Sequence, residues 1–295
     1  MILRDVRNNK IKTGFIVTCF FIIVALFIYF ISLWLFESTA FAVVIGLTFS
    51  FISAFASYYN SDKIVLSLNK ARVATKEEYA QLNNILEGLC LATGLPLPKL
   101  YIMEDSAMNA FATGRNPKNA VICVTTGLLN RLDKYEIEGV LAHELSHIRN
   151  YDILLSTITI VMVGFIVIIS DAFSRGMYRS SSRDDDNKAS GIIMLIGLIF
   201  IILSPIFANL MKLAISRNRE YLADASAVEI TRNKDGLINA LKKLEGDTEA
   251  LEQANKSSAS LFIVNPLVNE RKNKDSIWST HPNTQNRIER LKNIQ

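Results

Sequence analysis

Cysteine is nearly missing from this 295-residue chain: Cys19, Cys90 and Cys123 lie far apart, are odd in number and form no CxxC pair. That excludes a disulfide framework and a cysteine-held metal site, and it suits a reducing, cytoplasmic compartment. Histidine is equally scarce, at three residues. The excess of basic over acidic side chains is slight, a formal net charge of +4, and no basic stretch is interleaved with aromatics. Nucleic acid is therefore not an expected partner. Internal repeats are absent too.

Charge itself is absent from four long stretches. Thr13–Phe36, Ser38–Ser61, Ile153–Ser170 and Ala189–Met211 contain no Asp, Glu, Lys or Arg. Each comes close to the ~20 residues needed to cross a bilayer, the third being the shortest. The first is longer than a secretion signal and is followed at once by the second, so this pair is expected to stay on the protein as an anchor. Arg4, Arg7, Lys10 and Lys12 precede the first run, and Glu37 alone occupies the tip between the two. That asymmetry predicts a cytoplasmic N-terminus, with two crossings returning 62–152 to the cytoplasm. The loop 171–188 carries Arg175, Arg179, Arg183 and Lys188. Either it faces outward despite its charge, or the second pair does not fully span; both alternatives stand.

What histidine there is concentrates in one place. His143, Glu144 and His147 form a His-Glu-x-x-His run, Leu141–Ile148. Four residues is just over one helical turn, so both imidazoles leave one face of a helix and can grip one ion. Glu144 points roughly 100° away, close enough to handle a proton without binding the metal. Chance would produce such a match on the order of once in several hundred chains. The surroundings also predict a helix from Asp133 to about Asn150: Asp133 and Glu136 can form a capping box, and Ile137, Val140, Leu141 and Leu145 recur at apolar positions.

Elsewhere, Thr75–Glu78 reads as a capping box opening an amphipathic helix that ends at Gly94. Lys99–Met103 and Ala120–Val124 read as short strands, with Asn109–Thr113 a possible third. Helices are expected around 217–230 and 236–244 and from about Asn283. The fold class is therefore α+β and mostly helical: a multi-pass membrane protein carrying a small sheet beside a His-Glu-x-x-His helix.

Two histidines leave zinc one short of the three protein ligands of a catalytic site. Glu220 and Asp224, again four apart, lie just beyond the fourth apolar run among the small residues Ala223 and Ala225. Glu220 can bind the ion while Asp224 accepts a hydrogen bond from a ligand imidazole. Two crossings separate His147 from Glu220, which puts both on one side of the membrane as shared ligation requires. The third histidine, His281, precedes Pro282. Residue chemistry leaves two readings open for it: a surface loop residue, or an imidazole that stabilises an oxyanion.

Taken together, His-Glu-Leu-Ser-His, Ser216-Arg-Asn-Arg-Glu-Tyr-Leu-Ala-Asp224, Asn-Ala-Phe-Ala at 109–112 and Thr-His-Pro at 280–282 resemble the HtpX-type family of membrane zinc metalloproteases. That family also includes the CaaX prenyl protease, and the match runs over most of the chain. The resemblance implies a gluzincin-like peptidase with one Zn2+ per chain, held by His143, His147 and Glu220, and with Glu144 as general base. It further implies Asp224 as the acid that orients a ligand, His281 as a transition-state contact and Asp152 as a structural acid. Asn109, Ala110, Phe111 and Ala112 match the family's edge strand, which pairs with substrate backbone. The resemblance also implies polypeptide substrates, damaged membrane proteins among them, and a stress-response task at the cell membrane. The expected organisation is a two-span anchor at 1–61, catalytic parts at 62–152 and 212–295, and a second pair of spans at 153–211. Two other expectations compete: a CaaX-type prenyl protease, and a zinc-stabilised membrane scaffold without catalysis. The presence of Glu144 argues against the scaffold, since a structural zinc site needs no base.

Overall fold

The computed structural model describes residues 7–19, isolated helical positions between 21 and 56, and residues 58–161, 217–252, 259–264 and 282–294. Among the described residues no helix is long and apolar enough to cross a membrane. The four apolar runs expected as spans lie wholly or partly outside the described residues, as does the loop at 171–188. By contacts the chain divides into two compact units, Met1–Lys10 with Ser61–Thr157 and Ile215–Gln295, and Ile11–Asn60 with Ile158–Ala214. The first unit carries the motifs.

In that unit, helix α1 (Ser61–Leu68) precedes the short strand β1 (Arg72–Val73). Helix α2 (Ala80–Thr93) leads to β2 (Lys99–Met103), β3 (Ala110–Gly114) and β4 (Ala120–Thr125). The four strands form one sheet in the order β1-β2-β4-β3, with β2 and β4 parallel and the outer pairs antiparallel. β3 is thus an edge, its Ala110 opposite Val124 and its Gly114 opposite Ala120. β1 had no sequence signal, being two exposed residues long.

The helix expected to open at Thr75 begins instead at Ala80. The Thr75 hydroxyl does accept the Glu78 amide at 3.2 Å. The reciprocal half of the box fails because the Glu78 carboxylate is taken by the Arg72 fork at 2.6 and 2.9 Å. Gly94 then ends α2 in the left-handed conformation, φ 69°, where a side chain would be strained.

After the short α3 (Thr126–Arg131) comes α4 (Lys134–Arg149), opened by the complete Asp133/Glu136 capping box. α4 packs on β3 and against α5 (Arg217–Thr231) and α6 (Lys234–Gly246), with α7 (Thr284–Lys292) closing over α5 and α6. The contact of α4 with α6 needs glycine: a Cβ on Gly139 would sit 2.7 Å from the Leu237 backbone nitrogen. Leu86, Ile102, Ile122, Val140, Leu141, Leu145, Leu237 and Leu241 belong to one continuous apolar core between sheet and helices. α4 runs through its middle, which is why eleven of its residues are buried.

Candidate metal centre

Burial of α4 forces its polar side chains into company. His143 is fully buried, Glu144 is 1% exposed, and both lie one turn or less from His147. α5 presents Glu220 and Asp224 to the same face. The result is a triangle of donors: His143 Nε2 lies 3.2 Å from His147 Nε2, and each lies 3.6 Å from a Glu220 carboxylate oxygen. These are the only three side chains grouped closely enough to hold a metal ion among the described residues.

Both imidazoles are aimed by carboxylates. His143 Nδ1 lies 3.0 Å from Asp224 Oδ1, and His147 Nδ1 lies 3.0 Å from Asp152 Oδ2. A proton on each Nδ1 satisfies these contacts and leaves both Nε2 lone pairs facing each other. At 3.2 Å the two Nε2 atoms need either a proton or a metal ion between them. The triangle suits a metal ion: tetrahedral zinc with bonds of about 2.0–2.1 Å has donors about 3.3 Å apart. The residues present therefore fit the ion that the sequence implies.

The electrostatics agree. Burial pushes the His143 imidazole down, yet hydrogen bonds to Asp224 and Glu220 outweigh it and raise the group to about 9. Burial lowers His147 too, and its bond to Asp152 with the Glu220 charge turns the net shift upward. The surrounding carboxylates thus favour positive charge at this spot. Glu144 is raised as well, by a different cause: burial lifts its carboxyl, only partly opposed by the histidines. A carboxylate above its ordinary range is a stronger proton acceptor.

One residue of the site had no place in the sequence reading. Arg287, on α7, is 1% exposed. Its guanidinium donates to Asp224 at 2.9 and 2.7 Å and to the Ile263 carbonyl at 2.9 Å, and it reaches within 3.5 Å of the His143 ring. Burial lifts the Asp224 carboxyl, but Arg287 and His143 pull it below its ordinary value. The available signal was position: Arg287 shares its helix face with Ile288 and Leu291, both buried. Asp152, expected as a structural acid, bonds directly to His147 as Asp224 bonds to His143.

Asn109 and Ala110–Ala112 lie where expected, at the sheet edge, but they are fully covered. The Ile263 amide donates to the Ala110 carbonyl at 3.0 Å, the Asn109 amide donates to the Val264 carbonyl at 2.9 Å, and Phe262 meets Phe111 edge-on. The chain's own segment 259–264 occupies this stretch of the edge. His281 lies outside the described residues.

Comparison with known proteins gives a consistent picture. Residues 76–295 match the model of peptidase family M48. A protein described as Protease HtpX homolog from Dictyoglomus thermophilum is 44% identical over 287 residues, 97% of this chain and 93% of that relative. One of the same description from Listeria monocytogenes is 42% identical over 305 residues, covering both chains fully. The crystal structure of S. mikatae Ste24p resembles this chain with a TM-score of 0.52 at 21% identity, covering 98% of this chain and 67% of that one. That last likeness is one of fold.

Proposed function

The chain belongs to peptidase family M48, and from that premise we propose that it is a membrane-bound zinc endopeptidase that cleaves damaged or misfolded membrane proteins. The observation that carries the metal assignment is the donor triangle of His143, His147 and Glu220, with each imidazole backed by its own carboxylate. Zinc held there supplies Lewis acidity, acidifying water and polarising a peptide carbonyl.

The chain's residues supply the rest. Glu144 accepts the proton of the attacking water on its carboxylate and returns it to the departing amine, a role its raised carboxyl suits. Asp224 and Asp152 hold the rings in the tautomer that leaves Nε2 free, and Arg287 fixes Asp224. His281 is assigned the contact to the oxyanion, and Asn109–Ala112 the pairing with substrate backbone, which competes with segment 259–264 for the Ala110 carbonyl. The charge-free runs and the Lys/Arg ahead of the first favour a multi-pass protein of the cell membrane with this site facing the cytoplasm.

The test is proteolysis of a misfolded membrane protein by the detergent-purified full chain, before chelation, after it and after zinc return. Cleavage should vanish and come back. Cleavage indifferent to the chelator would refute the metal mechanism.

A further inference from the structure

Asp152, which orients His147, is itself held from a distant part of the chain. The Asn9 side-chain amide donates to Asp152 Oδ1 at 2.7 Å and to the Asn150 carbonyl at 2.9 Å. Asn9 is 5% exposed and Asp152 is 4% exposed, so water does not compete freely for either. Next to it, the Lys10 ammonium lies over the Tyr151 ring, 4.2 Å from its centroid. Tyr151 has φ 59°, the left-handed turn that carries the chain out of α4 and brings Asp152 back beneath His147. Residues 7–10 are helical, so the Asn9 side chain is presented from a regular backbone.

Asp152 has two oxygens and two tasks. Oδ2 accepts from His147 Nδ1 at 3.0 Å, and Oδ1 is held by Asn9 at 2.7 Å. A carboxylate fastened at one oxygen cannot rotate without giving up a buried hydrogen bond. The Arg219 guanidinium, 3.6 Å from the same Oδ1, adds charge but no aligned hydrogen bond. On the Asp224 side the corresponding fastening is Arg287. The two imidazoles are thus each aimed by an acid that is itself held, one from α7 and one from the residues just ahead of the first apolar run.

We propose that Asn9 is a positioning residue of the metal centre, acting through Asp152 on His147, so that the start of the chain contributes to zinc affinity. The inference rests on the zinc reading above. Loss of a partner directly behind a ligand costs about 10–100-fold in metal affinity. Asn9 is one bond further out, so Asn9→Ala should weaken zinc by about tenfold, the low end of that range. Asn9→Asp should do more, because it sets a second carboxylate against Asp152 where a donor stood.

The experiment is zinc affinity of the full chain in detergent, measured by competition with a chromogenic chelator, together with thermal unfolding with and without zinc. Wild type, Asn9→Ala, Asn9→Asp and Lys10→Ala are compared. Lys10→Ala loosens the same segment through Tyr151 without touching Asp152, and should bind zinc as wild type does. The expected order of zinc affinity is wild type equal to Lys10→Ala, then Asn9→Ala, then Asn9→Asp. The rise in unfolding temperature on adding zinc should shrink in the same order. Equal zinc affinity in Asn9→Ala and wild type overturns the inference and leaves the peptidase reading intact. So does equal weakening in Lys10→Ala, which would mean general loosening of the segment. Wild type that binds no zinc would instead defeat the peptidase reading itself. If Asn9→Asp fails to fold, Asn9→Ala against Lys10→Ala decides the matter.

Discussion

Replacing Arg287 by methionine is the sharpest test of how the centre is held. Methionine keeps much of the length and apolar stem but removes the guanidinium, which makes three hydrogen bonds while 1% exposed. Each bond to a charged group is worth about 1.5–3 kcal/mol net. Their sum overstates the loss, because burying the guanidinium was itself costly and methionine packs well. Stranding one member of a buried pair costs about 3–5 kcal/mol, and that is the expected destabilisation. At about 2–4 °C per kcal/mol, unfolding should shift down by about 6–20 °C. The effect has a pH signature. In wild type the Asp224 carboxyl is held below its ordinary value, so its stabilising contribution is present above about pH 3.9 and is lost as pH falls through the lower folded value. Without Arg287 a main counterweight to burial is lost while His143 still lowers the carboxyl, so Asp224 should protonate at a higher pH in the variant than in wild type. The gap between the two proteins should be full at neutral pH and narrow as pH falls toward about 4. Thermal unfolding of zinc-free protein at several pH values reads both. A shift under about 1 kcal/mol, or a gap independent of pH, would refute the buried pair as the restraint on Asp224.

Further outcomes follow from the same geometry. Glu144→Gln should abolish cleavage while zinc content stays at one per chain, because every donor atom is kept; metal analysis beside a peptidase assay checks it. Asp152→Ala and Asp224→Ala should each weaken zinc by about 10–100-fold, measured by chelator competition, and unchanged affinity in either would remove that acid from the site. His281→Ala should lower kcat by roughly 10²–10³ with zinc retained; normal turnover would return His281 to the surface-loop reading. Gly139→Val should cost about 1–3 kcal/mol by forcing α4 and α6 apart, seen as a lower unfolding midpoint. Gly88→Ala, in α2 with open space around it, should instead gain up to about 1 kcal/mol.

Much of the site was legible because its decisive spacing is local. Two histidines four apart on a capped, uninterrupted apolar helix can only face one way, and α4 forms at the bounds its capping box marks. Glu220 and Asp224 were legible as candidates for the same reason of helical period. The start of α2 was misread because the capping box has a competitor, Arg72, that lies outside the local window and takes Glu78. The cover over the Asn109–Ala112 edge could not be foreseen, since nothing in 259–264 distinguishes a strand partner from a loop.

What the sequence by itself determined is therefore the main local elements of the site and the donors that each can present: a helix with two imidazoles on one face, another with two carboxylates, and the three longer strands. Only the tertiary structure decided which acids stand behind which ligands. Asp152, Arg287 and Asn9 are ordinary polar residues in sequence, and an isolated charge on a helix is normally solvated. They become part of the metal centre because packing strips away the water that would otherwise satisfy them, leaving Asp152 to Asn9 and His147, and Arg287 to Asp224, as hydrogen-bond partners within reach.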